Sequence, residues 1–526
     1  MSSQPVLING AWREAKATGT FQADNPTTRE PLNEVYPISN WEDCEEALNA
    51  AFDASVAMRN MPGAQVADFL EAYAVEIEAR KDDLVEMAHA ETGYPKSPRL
   101  ADGELPRTTG QLRQAAAAAR DGSWSQATID TAAGIRSCYA AIGPVCVFGP
   151  NNFPFAFGSI SGGDFAAAIA AGNPVIAKAN SSHPGTTRIF AEAAQKAADA
   201  TGMPKATVQL IYRLGHSDGE RLVADPRVGA TGYTGSRSAG LKLKAAADVA
   251  GKPMYLELSS VNPVVILPGA LAERAEDIAG EFTGSCLMGT GQFCTNPGLV
   301  VLLAGEQTEQ FIESLSTKFA AAPVGTLLSK GVEQSLGENL KVLQRAGAQL
   351  VVGDTAGGGH GFSHANTLLR ATAQQFIESP EALQTEAFGN CSLIVVADSV
   401  DQVCEAIDHL EGNLTGCVYS DTAGSDDEAY DAVALHLRPR VGRLLNDKMP
   451  TGVAISAAMN HGGPFPATGH PGFTAVGIPG SLLRFSMLQC FDSIRPHRLP
   501  AGLQDKNPTG SMWRSVDGQW SQADIG

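Results

Sequence analysis

The clearest pattern along the chain is an alternation of short apolar runs with Ala-rich amphipathic stretches between residues 142 and 267. The apolar runs predict six buried strands, at residues 145–148, 174–178, 208–212, 229–234, 254–258 and 264–267. The stretches between them predict four helices, at residues 156–171, 184–201, 216–224 and 237–250. Strands that alternate with helices indicate βαβ units and a mostly parallel, doubly wound sheet.

The α/β pattern continues on both sides of this block. Amphipathic helices are predicted before it, at residues 47–58, 66–91 and 101–120. A second α/β region is predicted from about residue 270 to 470, with strand candidates at residues 298–304, 349–353, 392–397 and 415–420. Two further segments fit neither region: residues 128–143 alternate like a β-hairpin, and residues 481–496 read as a late strand. Outlying strands of this kind often pair with another subunit.

Length and charge narrow the class of protein. A chain of 526 residues is too long for one simple core, so two or three domains are expected. Its net charge of −19 argues against nucleic acid or an anionic membrane as a partner, because both reward excess Lys and Arg. The first residues lack the pattern of a signal peptide, and no run of 18 apolar residues predicts a membrane span.

Cysteine usage limits what Cys294, in GQFCTNPG (291–298), does. The nine cysteines are scattered and none forms a C-x-x-C pair, so neither a metal site nor a redox dithiol is predicted. Their odd number, without an export signal, indicates reduced thiols and a cytoplasmic location. Two interpretations of Cys294 remain: a buried structural thiol, which is the common case, or a nucleophile.

Polar residues at predicted strand ends are the other site candidates, because ligands bind beyond the carboxyl ends of parallel strands. Asn152 in VFGPNNFPF is either a turn residue or a donor to an oxyanion. Lys178 in AGNPVIAKAN is either solvated or in contact with ribose or phosphate. Gly235 and Ser236 in YTGSRSAG open a helix whose start suits a pyrophosphate, although the pattern is a weak signal.

Two carboxylates complete the set. Glu257 lies inside the otherwise apolar run MYLEL, and a buried carboxylate is costly enough that it generally has a partner or a function. Glu386 in QTEAFGN precedes a Phe-Gly turn, which by itself is typical of a surface acid.

Taken together and in order, these motifs and GQFCTNPG resemble the aldehyde dehydrogenase superfamily over roughly residues 5–500. The resemblance implies oxidation of an aldehyde to a carboxylic acid through a thiohemiacetal and a thioester on the cysteine. It implies roles for three catalytic residues: nucleophile Cys294, oxyanion donor Asn152 and general base Glu257. The cofactor residues that it implies are Lys178, Gly235, Ser236, Glu386 and Phe388.

The resemblance also implies a division of the α/β chain into three parts. We expect a Rossmann-like doubly wound cofactor domain (residues 1–125 and 146–267) and an α/β catalytic domain (268–475). A small β oligomerisation arm is expected from residues 126–145 and 481–500, in a homodimer or homotetramer.

The chain departs from the commonest family pattern at three places. Asn151 stands where Trp is frequent, and Ser259 and Ser260 replace two glycines, but neither change removes a reacting group. Ser181 stands where members that prefer NAD often carry Glu. A carboxylate there would repel a 2′-phosphate, whereas Ser can donate to it, and Lys178 and Arg213 add positive charge. NADP is therefore expected as the cofactor, with NAD also accepted.

GQFCTNPG and MNHGGPFPAT (459–468) resemble one branch in particular, which contains α-ketoglutaric semialdehyde (2,5-dioxovalerate) dehydrogenases and long-chain fatty aldehyde dehydrogenases. The expected reaction is 2,5-dioxovalerate to 2-oxoglutarate; a fatty aldehyde is the alternative. The candidate substrate residues are Arg107, Phe153, Phe157, Phe293 and His461.

Two other readings compete with this reaction. One is a non-catalytic relative that binds nucleotide or serves as a structural protein. The intact trio of Cys294, Glu257 and Asn152 speaks against it. The other is an acylating enzyme that passes the acyl group to coenzyme A. Glu257 favours hydrolysis instead, because acylating members typically lack that base.

Overall fold

Residues 3–526 are described by a computed structural model, in which two seven-stranded sheets carry most of the core. The α-helices are α1 (Trp41–Met58), α2 (Gly63–Ala79), α3 (Lys81–Thr92), α4 (Leu105–Asp121), α5 (Gly163–Ala170), α6 (Pro184–Ala200), α7 (His216–Val223), α8 (Arg237–Val249), α9 (Pro268–Leu287), α10 (Glu306–Ala321), α11 (Lys330–Arg345), α12 (Ala373–Glu378), α13 (Pro380–Leu383), α14 (Val400–Asp408) and α15 (Asp427–Leu437). In the part of the chain described, no helix is both long and apolar enough to cross a membrane.

The strands follow the same chain order. They are β1 (Val6–Ile8), β2 (Ala11–Arg13), β3 (Ala17–Phe21), β4 (Asp24–Asn25), β5 (Glu30–Pro31), β6 (Tyr36–Ser39), β7 (Thr128–Asp130), β8 (Ile135–Ala141), β9 (Val145–Phe148), β10 (Val175–Lys178), β11 (Val208–Ile211), β12 (Arg213–Leu214), β13 (Ala230–Thr234), β14 (Met254–Glu257), β15 (Val264–Ile266), β16 (Leu299–Leu303), β17 (Gln349–Val352), β18 (Thr367–Thr372), β19 (Cys391–Ala397), β20 (Asn413–Tyr419), β21 (Val441–Asn446), β22 (Ser486–Asp492), β23 (Arg514–Val516) and β24 (Gln519–Ser521).

The first large sheet has the order β14-β13-β9-β10-β11-β1-β2, and its first five strands are parallel. This confirms the predicted doubly wound sheet. The chain winds from β9 outward to β11 and then returns to place β13 on the other side of β9. The carboxyl ends of β9 and β13 therefore flank a topological switch point, where such sheets bind ligands.

The second large sheet has the order β17-β18-β19-β16-β15-β20-β21 and is parallel except at β17. The prediction that residues 264–267 belong to the first sheet is wrong, because β15 pairs with β16 and β20. A fully buried apolar run shows that a strand lies inside a sheet but not which sheet it joins. The chain thus leaves the first sheet at Glu257 and crosses to the second within residues 258–263.

Three predicted helices differ from those observed. Residues 156–162 form turns and only α5 is helical. Gly158 and Gly162 permit these tight turns, since a Cβ at either position would lie within 2.7 Å of neighbouring backbone atoms. The helix predicted at 66–91 is divided into α2 and α3 at Arg80, which takes φ −109° and ψ 21°. The one predicted at 101–120 begins as a π-helical segment, residues 96–104, ahead of α4.

The predicted arm is a five-stranded sheet of order β22-β8-β7-β23-β24. The hairpin is confirmed as β7 and β8, and the late strand β22 pairs antiparallel with β8. The sequence did not predict the last two strands, which follow residue 500 and are only three residues long. Fully buried Arg514 anchors this extension by donating to the carbonyls of Gln504, Asp505 and Ala523. Only residues 142–144 separate β8 of the arm from β9 of the first sheet.

Candidate active site

The segment that joins the two large sheets brings the carboxyl end of β14 close to the amino ends of β15 and β16. Asn413, the first residue of β20, holds this segment because its Oδ1 accepts the N–H groups of Val261 (2.9 Å) and Asn262 (3.1 Å). Leu258 N–H donates to the Ala467 carbonyl (2.9 Å), which ties the last part of the chain along β14. The site lies in the crevice that these contacts define.

The loop of residues 149–157, which follows β9, carries Asn152. The buried carboxylate Glu104 accepts the N–H groups of Phe155 (2.9 Å) and Ala156 (3.0 Å), and Arg99 Nη2 donates to the Asn152 carbonyl (3.1 Å). The Asn152 amide donates to the Gln292 carbonyl (2.9 Å), two residues before Cys294. An amide has two N–H groups, so one remains to face a negatively charged oxygen.

Cys294 follows a tight turn in which residues 289, 290 and 291 all have positive φ. A side chain at Gly291 would put a Cβ 2.0 Å from the Gly389 carbonyl oxygen, so glycine is required there. Beyond the turn, Asn262 Nδ2 donates to the carbonyls of Cys294 and Asn296, both at 2.9 Å. The cysteine is therefore positioned from both sides of the loop.

His461 connects Cys294 with Glu257. Its Nε2 lies 3.4 Å from Cys294 Sγ and 2.9 Å from Glu257 Oε1. The histidine is only 1% exposed, and its backbone is fixed by bonds to Thr474 Oγ1 and the Ala475 N–H. The sequence grouped His461 with the substrate residues, and it does contact Phe157 with ring centroids 5.7 Å apart. Its place between the thiol and the carboxylate gives it a proton-transfer geometry that the sequence did not predict.

Burial and then the charge of Glu257 raise the pKa of the Cys294 thiol well above its usual range. Without ligands the thiol therefore holds its proton. Two groups beside Sγ can accept that proton as the sulfur attacks: the imidazole nitrogen in contact with it, and the Glu257 carboxylate, whose charge acts on the thiol. The same nitrogen, Nε2, faces both the sulfur and Glu257 Oε1, so the nucleophile lies beside an imidazole and a carboxylate that are in contact with each other.

Three aromatic rings line the approach to Cys294. Phe153 packs edge-on against Phe157 (5.3 Å between centroids) and Phe293 (5.1 Å). The Arg99 guanidinium lies 4.2 Å from the Phe153 ring and 4.7 Å from that of Phe293, which joins the two loops. The predicted substrate phenylalanines are thus brought together beside the nucleophile.

Arg107 reaches the same pocket from α4. One guanidinium nitrogen donates to the Val453 carbonyl, whereas Nε and Nη2 are buried without a hydrogen-bond partner. Burial lowers the pKa of Arg107, and the nearby Cys294 and Glu104 act in the opposite direction. Arg113, two turns further along, instead pairs with Glu78 on the exposed side of the helix. Of these two arginines, only Arg107 has donors left for a ligand in the pocket.

The residues predicted for the adenosine side of a dinucleotide lie at the ends of adjacent strands. Lys178 ends β10 and pairs in register with Ile211, the last residue of β11. Burial, followed by the positive charge of Arg213, lowers the pKa of Lys178 to about 8. Arg213 is exposed and lies over Phe21, and Ser181 is half-buried three residues after Lys178. The three side chains define a polar, positively charged edge of the crevice.

The residues predicted for the other parts of the cofactor flank the site. Gly235 and Ser236 form the turn before α8, and a Cβ at Gly235 would meet the Tyr233 hydroxyl at 2.9 Å. Across the crevice, Glu386 Oε1 accepts the Ser260 N–H (3.4 Å), and burial raises the pKa of Glu386 to about 7. Phe388 lines a cavity together with Glu386.

Sequence reasoning missed the residues that hold this machinery in place: Arg99, Glu104, Gln292 and Asn262. The side chains of Arg99, Glu104 and Asn262 bond to backbone groups of distant segments, and Gln292 offers its own backbone carbonyl to the Asn152 amide. A contact of this kind leaves no local spacing pattern. Only Glu104 could have been identified from the sequence, because it is a carboxylate on the apolar side of a predicted helix.

Comparison with known proteins identifies the family of the chain. The aldehyde dehydrogenase family matches residues 12–452. Alpha-ketoglutaric semialdehyde dehydrogenase 2 of Azospirillum brasilense is 40% identical over 522 residues, which cover 95% of this chain and 97% of that protein. Alpha-ketoglutaric semialdehyde dehydrogenase of Acinetobacter baylyi is 35% identical over 529 residues, with 98% of both proteins covered.

The fold has close counterparts among solved structures. One is a variant of aldehyde dehydrogenase C from Pseudomonas syringae in complex with NAD+ and octanal. It superposes with a TM-score of 0.79 at 19% identity, and the match covers 95% of this chain and 98% of that one. The family match over most of the length and the two relatives lead to one conclusion: the chain belongs to the aldehyde dehydrogenase family.

Proposed function

We propose that this enzyme oxidises α-ketoglutaric semialdehyde (2,5-dioxovalerate) to 2-oxoglutarate, with NADP as its preferred cofactor. The observation that carries the choice of substrate is Arg107, whose buried guanidinium has two nitrogens without partners beside the pocket of Cys294. A buried, unpaired cation is costly, and a carboxylate is the ligand whose geometry matches a guanidinium. The names of the two semialdehyde dehydrogenase relatives support the same substrate.

In the proposed reaction, His461 takes the thiol proton as Cys294 Sγ bonds to the aldehyde carbon. The free N–H of the Asn152 amide, together with the Cys294 backbone N–H, stabilises the oxyanion of the thiohemiacetal. One such donor contributes about 3–4 kcal/mol. When bound, the nicotinamide ring supplies the hydride acceptor. The oxidation leaves a thioester on Cys294. Glu257 removes a proton from the water that attacks this thioester, and the proton held by His461 returns to the departing Cys294 sulfur, so the enzyme is non-acylating.

The residues present fit a phosphorylated dinucleotide. Gly235 and Ser236 form the turn before α8, and the start of α8 presents backbone N–H groups suited to a pyrophosphate. Lys178, whose pKa is lowered by burial and by Arg213, would be stabilised by a dianionic 2′-phosphate. Ser181 can donate to the same phosphate, and Glu386 offers oxygens to a ribose near the catalytic loop. NAD, which lacks only the phosphate, is accepted less well.

Two further parts of the proposal concern the whole protein. The chain assembles as a homodimer or homotetramer through the arm, where β22 is an edge strand with Met487 and Leu488 exposed. The cytoplasm is its proposed location, because all nine cysteines are free thiols.

The substrate is tested by comparing Arg107→Met with Arg113→Met. Both changes remove a charge from the same helix, but only Arg107 faces the pocket. We expect Arg107→Met to raise KM for the semialdehyde at least tenfold, about 1.4 kcal/mol, and to leave KM for a neutral short aldehyde nearly unchanged. Arg113→Met should behave as the parent enzyme with both substrates.

An equal effect of Arg107→Met on charged and neutral aldehydes would assign Arg107 a structural role and remove the argument for a distal carboxylate. A parent enzyme that prefers long-chain aldehydes to the semialdehyde would favour the fatty aldehyde alternative. Absence of any cofactor reduction with either aldehyde would favour a non-catalytic protein.

A further inference from the structure

The group formed by Cys294, His461 and Glu257 has a second chemical property. It offers one thiol sulfur, one imidazole nitrogen and one carboxylate oxygen, all within 4.8 Å of one another. These are the donor types that Zn²⁺ prefers, at bond lengths of about 2.0–2.3 Å. Tetrahedral coordination at those lengths separates the donors by about 3.3–3.6 Å. The observed separations are 3.4 Å from Sγ to Nε2 and 2.9 Å from Nε2 to Oε1.

An independent observation also points to a ligand. Glu257 is 4% exposed and its second oxygen, Oε2, has no hydrogen-bond partner. An unsatisfied buried carboxylate oxygen carries a desolvation cost that a bound cation would relieve. His461 is nearly fully buried and fixed by its backbone bonds, so two of the three donors need little rearrangement.

We propose that the ligand-free enzyme binds one Zn²⁺ per chain through Cys294 Sγ, His461 Nε2 and the Glu257 carboxylate, and that this ion reversibly inhibits aldehyde oxidation. The metal replaces the thiol proton, which passes to solvent, and water fills the fourth position. The sulfur lone pair that attacks the aldehyde is then engaged in the Zn–S bond. Mg²⁺ and Ca²⁺ do not compete, because a thiolate and an imidazole are poor ligands for them.

The sequence could not have predicted such a site. The ligands are 37 and 167 positions apart in the chain, and zinc sites recognisable from sequence have ligands only a few residues apart. The fold brings the three residues together from the end of β14, the loop before β16 and the segment after β21.

Binding is tested on cofactor-free full-length enzyme that has been treated with a chelator and desalted. Zn²⁺ is titrated in competition with a chromophoric chelator, and Co²⁺ is used separately to report a sulfur-to-metal charge-transfer band. We expect one ion per chain, a cobalt band that disappears in Cys294→Ala, and affinity at least tenfold weaker in His461→Asn and Glu257→Gln. Zinc should inhibit turnover of the parent enzyme, and a chelator should restore it.

Cys490→Ser is the matched control, because Cys490 is an exposed thiol on β22 outside the site. It should bind zinc as tightly as the parent. If His461→Asn has a lower melting temperature than the parent enzyme, His461→Gln is used in its place, and circular dichroism confirms that the variant is folded. The proposal is overturned if both ligand variants bind zinc with parental affinity, if Cys294→Ala keeps the cobalt band, or if the parent binds no ion.

Discussion

One imidazole nitrogen lies in contact with both of the groups that the proposed chemistry uses in succession. His461 Nε2 touches the thiol that must lose a proton and the carboxylate that must later receive one. Without His461, the buried Glu257 carboxylate would have to accept first the proton of the thiol and later the proton of the water. The same pocket raises the pKa of the thiol. His461 gives the pocket a second group that can accept a proton, in contact with both the thiol and the carboxylate. The proposed chemistry therefore uses the three residues as a unit.

At the same scale, we expect Ser181→Glu to shift cofactor preference from NADP towards NAD. The new carboxylate would repel a 2′-phosphate and could accept both hydroxyls of an unmodified ribose. The ratio of kcat/KM for the two cofactors should change at least tenfold, about 1.4 kcal/mol. Ser182→Glu, one position further along the same half-buried turn, is the control and should change the ratio little. A change below about twofold for Ser181→Glu would show that this residue does not face the ribose.

The candidate catalytic residues were easier to predict than the residues that position them. Cys294, Glu257 and Asn152 lie in short motifs whose order along the chain resembles a known family, and the fold brings them to one crevice. His461 lies in the motif MNHGGPFPAT, but the sequence placed it only among the substrate residues, since a single histidine is usually structural. Its role emerged only when a segment more than 160 residues from Cys294 in sequence was placed beside it.

At the scale of elements, the site is a meeting of loops that touch through their backbones. The turn before Cys294 is in close backbone contact with the loop of Gly389, since a Cβ at Gly291 would lie 2.0 Å from the Gly389 carbonyl oxygen. The Phe388 and Glu386 side chains belong to that second loop, so the nucleophile and the proposed ribose contact share one support. Loops of this kind are shaped by non-local contacts, which a sequence pattern does not show.

Gly291→Ala tests this contact. We expect it to lower the melting temperature by several degrees and reduce kcat at least tenfold. The added methyl meets the Gly389 oxygen at 2.0 Å, and the positive φ costs an additional ~1 kcal/mol or more. Gly280→Ala, on the exposed face of α9 with no atom within 4 Å of its Cβ, is the control. Gly280→Ala should leave activity intact and slightly raise the melting temperature of the protein. Parental melting and kcat in Gly291→Ala would mean that the turn relaxes freely.

At the scale of the whole molecule, the arm leaves a β edge open. Met487 is 46% and Leu488 is 60% exposed on β22, the first strand of the arm sheet. The opposite side of the hairpin is covered by the C-terminal strands, which the sequence pattern did not reveal because they are short and polar. The arm sheet has two edge strands, β22 and β24, and the proposed contact with a second copy uses β22.

We expect Leu488→Asp to disrupt assembly. A charge in the centre of an apolar edge strand opposes its pairing, so light scattering after gel filtration should detect more of the 54.9 kDa single chain. Leu435→Asp, at a leucine on α15 that is 74% exposed, should keep the parental mass. If Leu488→Asp also keeps that mass, subunits meet elsewhere.

The three-residue link between β8 and β9 has a mechanical consequence. Strand β9 is about 13 Å long, and it connects the arm, at its amino end, with the loop that carries Asn152, at its carboxyl end. Contact between the arm and a second subunit would fix the amino end of β9. We expect this contact to restrain the Asn152 amide near the Cys294 sulfur. We expect an isolated chain to have a looser amide and a slower first step, even with every reacting group in place. In the proposed oligomer, full activity would therefore depend on the pairing of subunits through the arm.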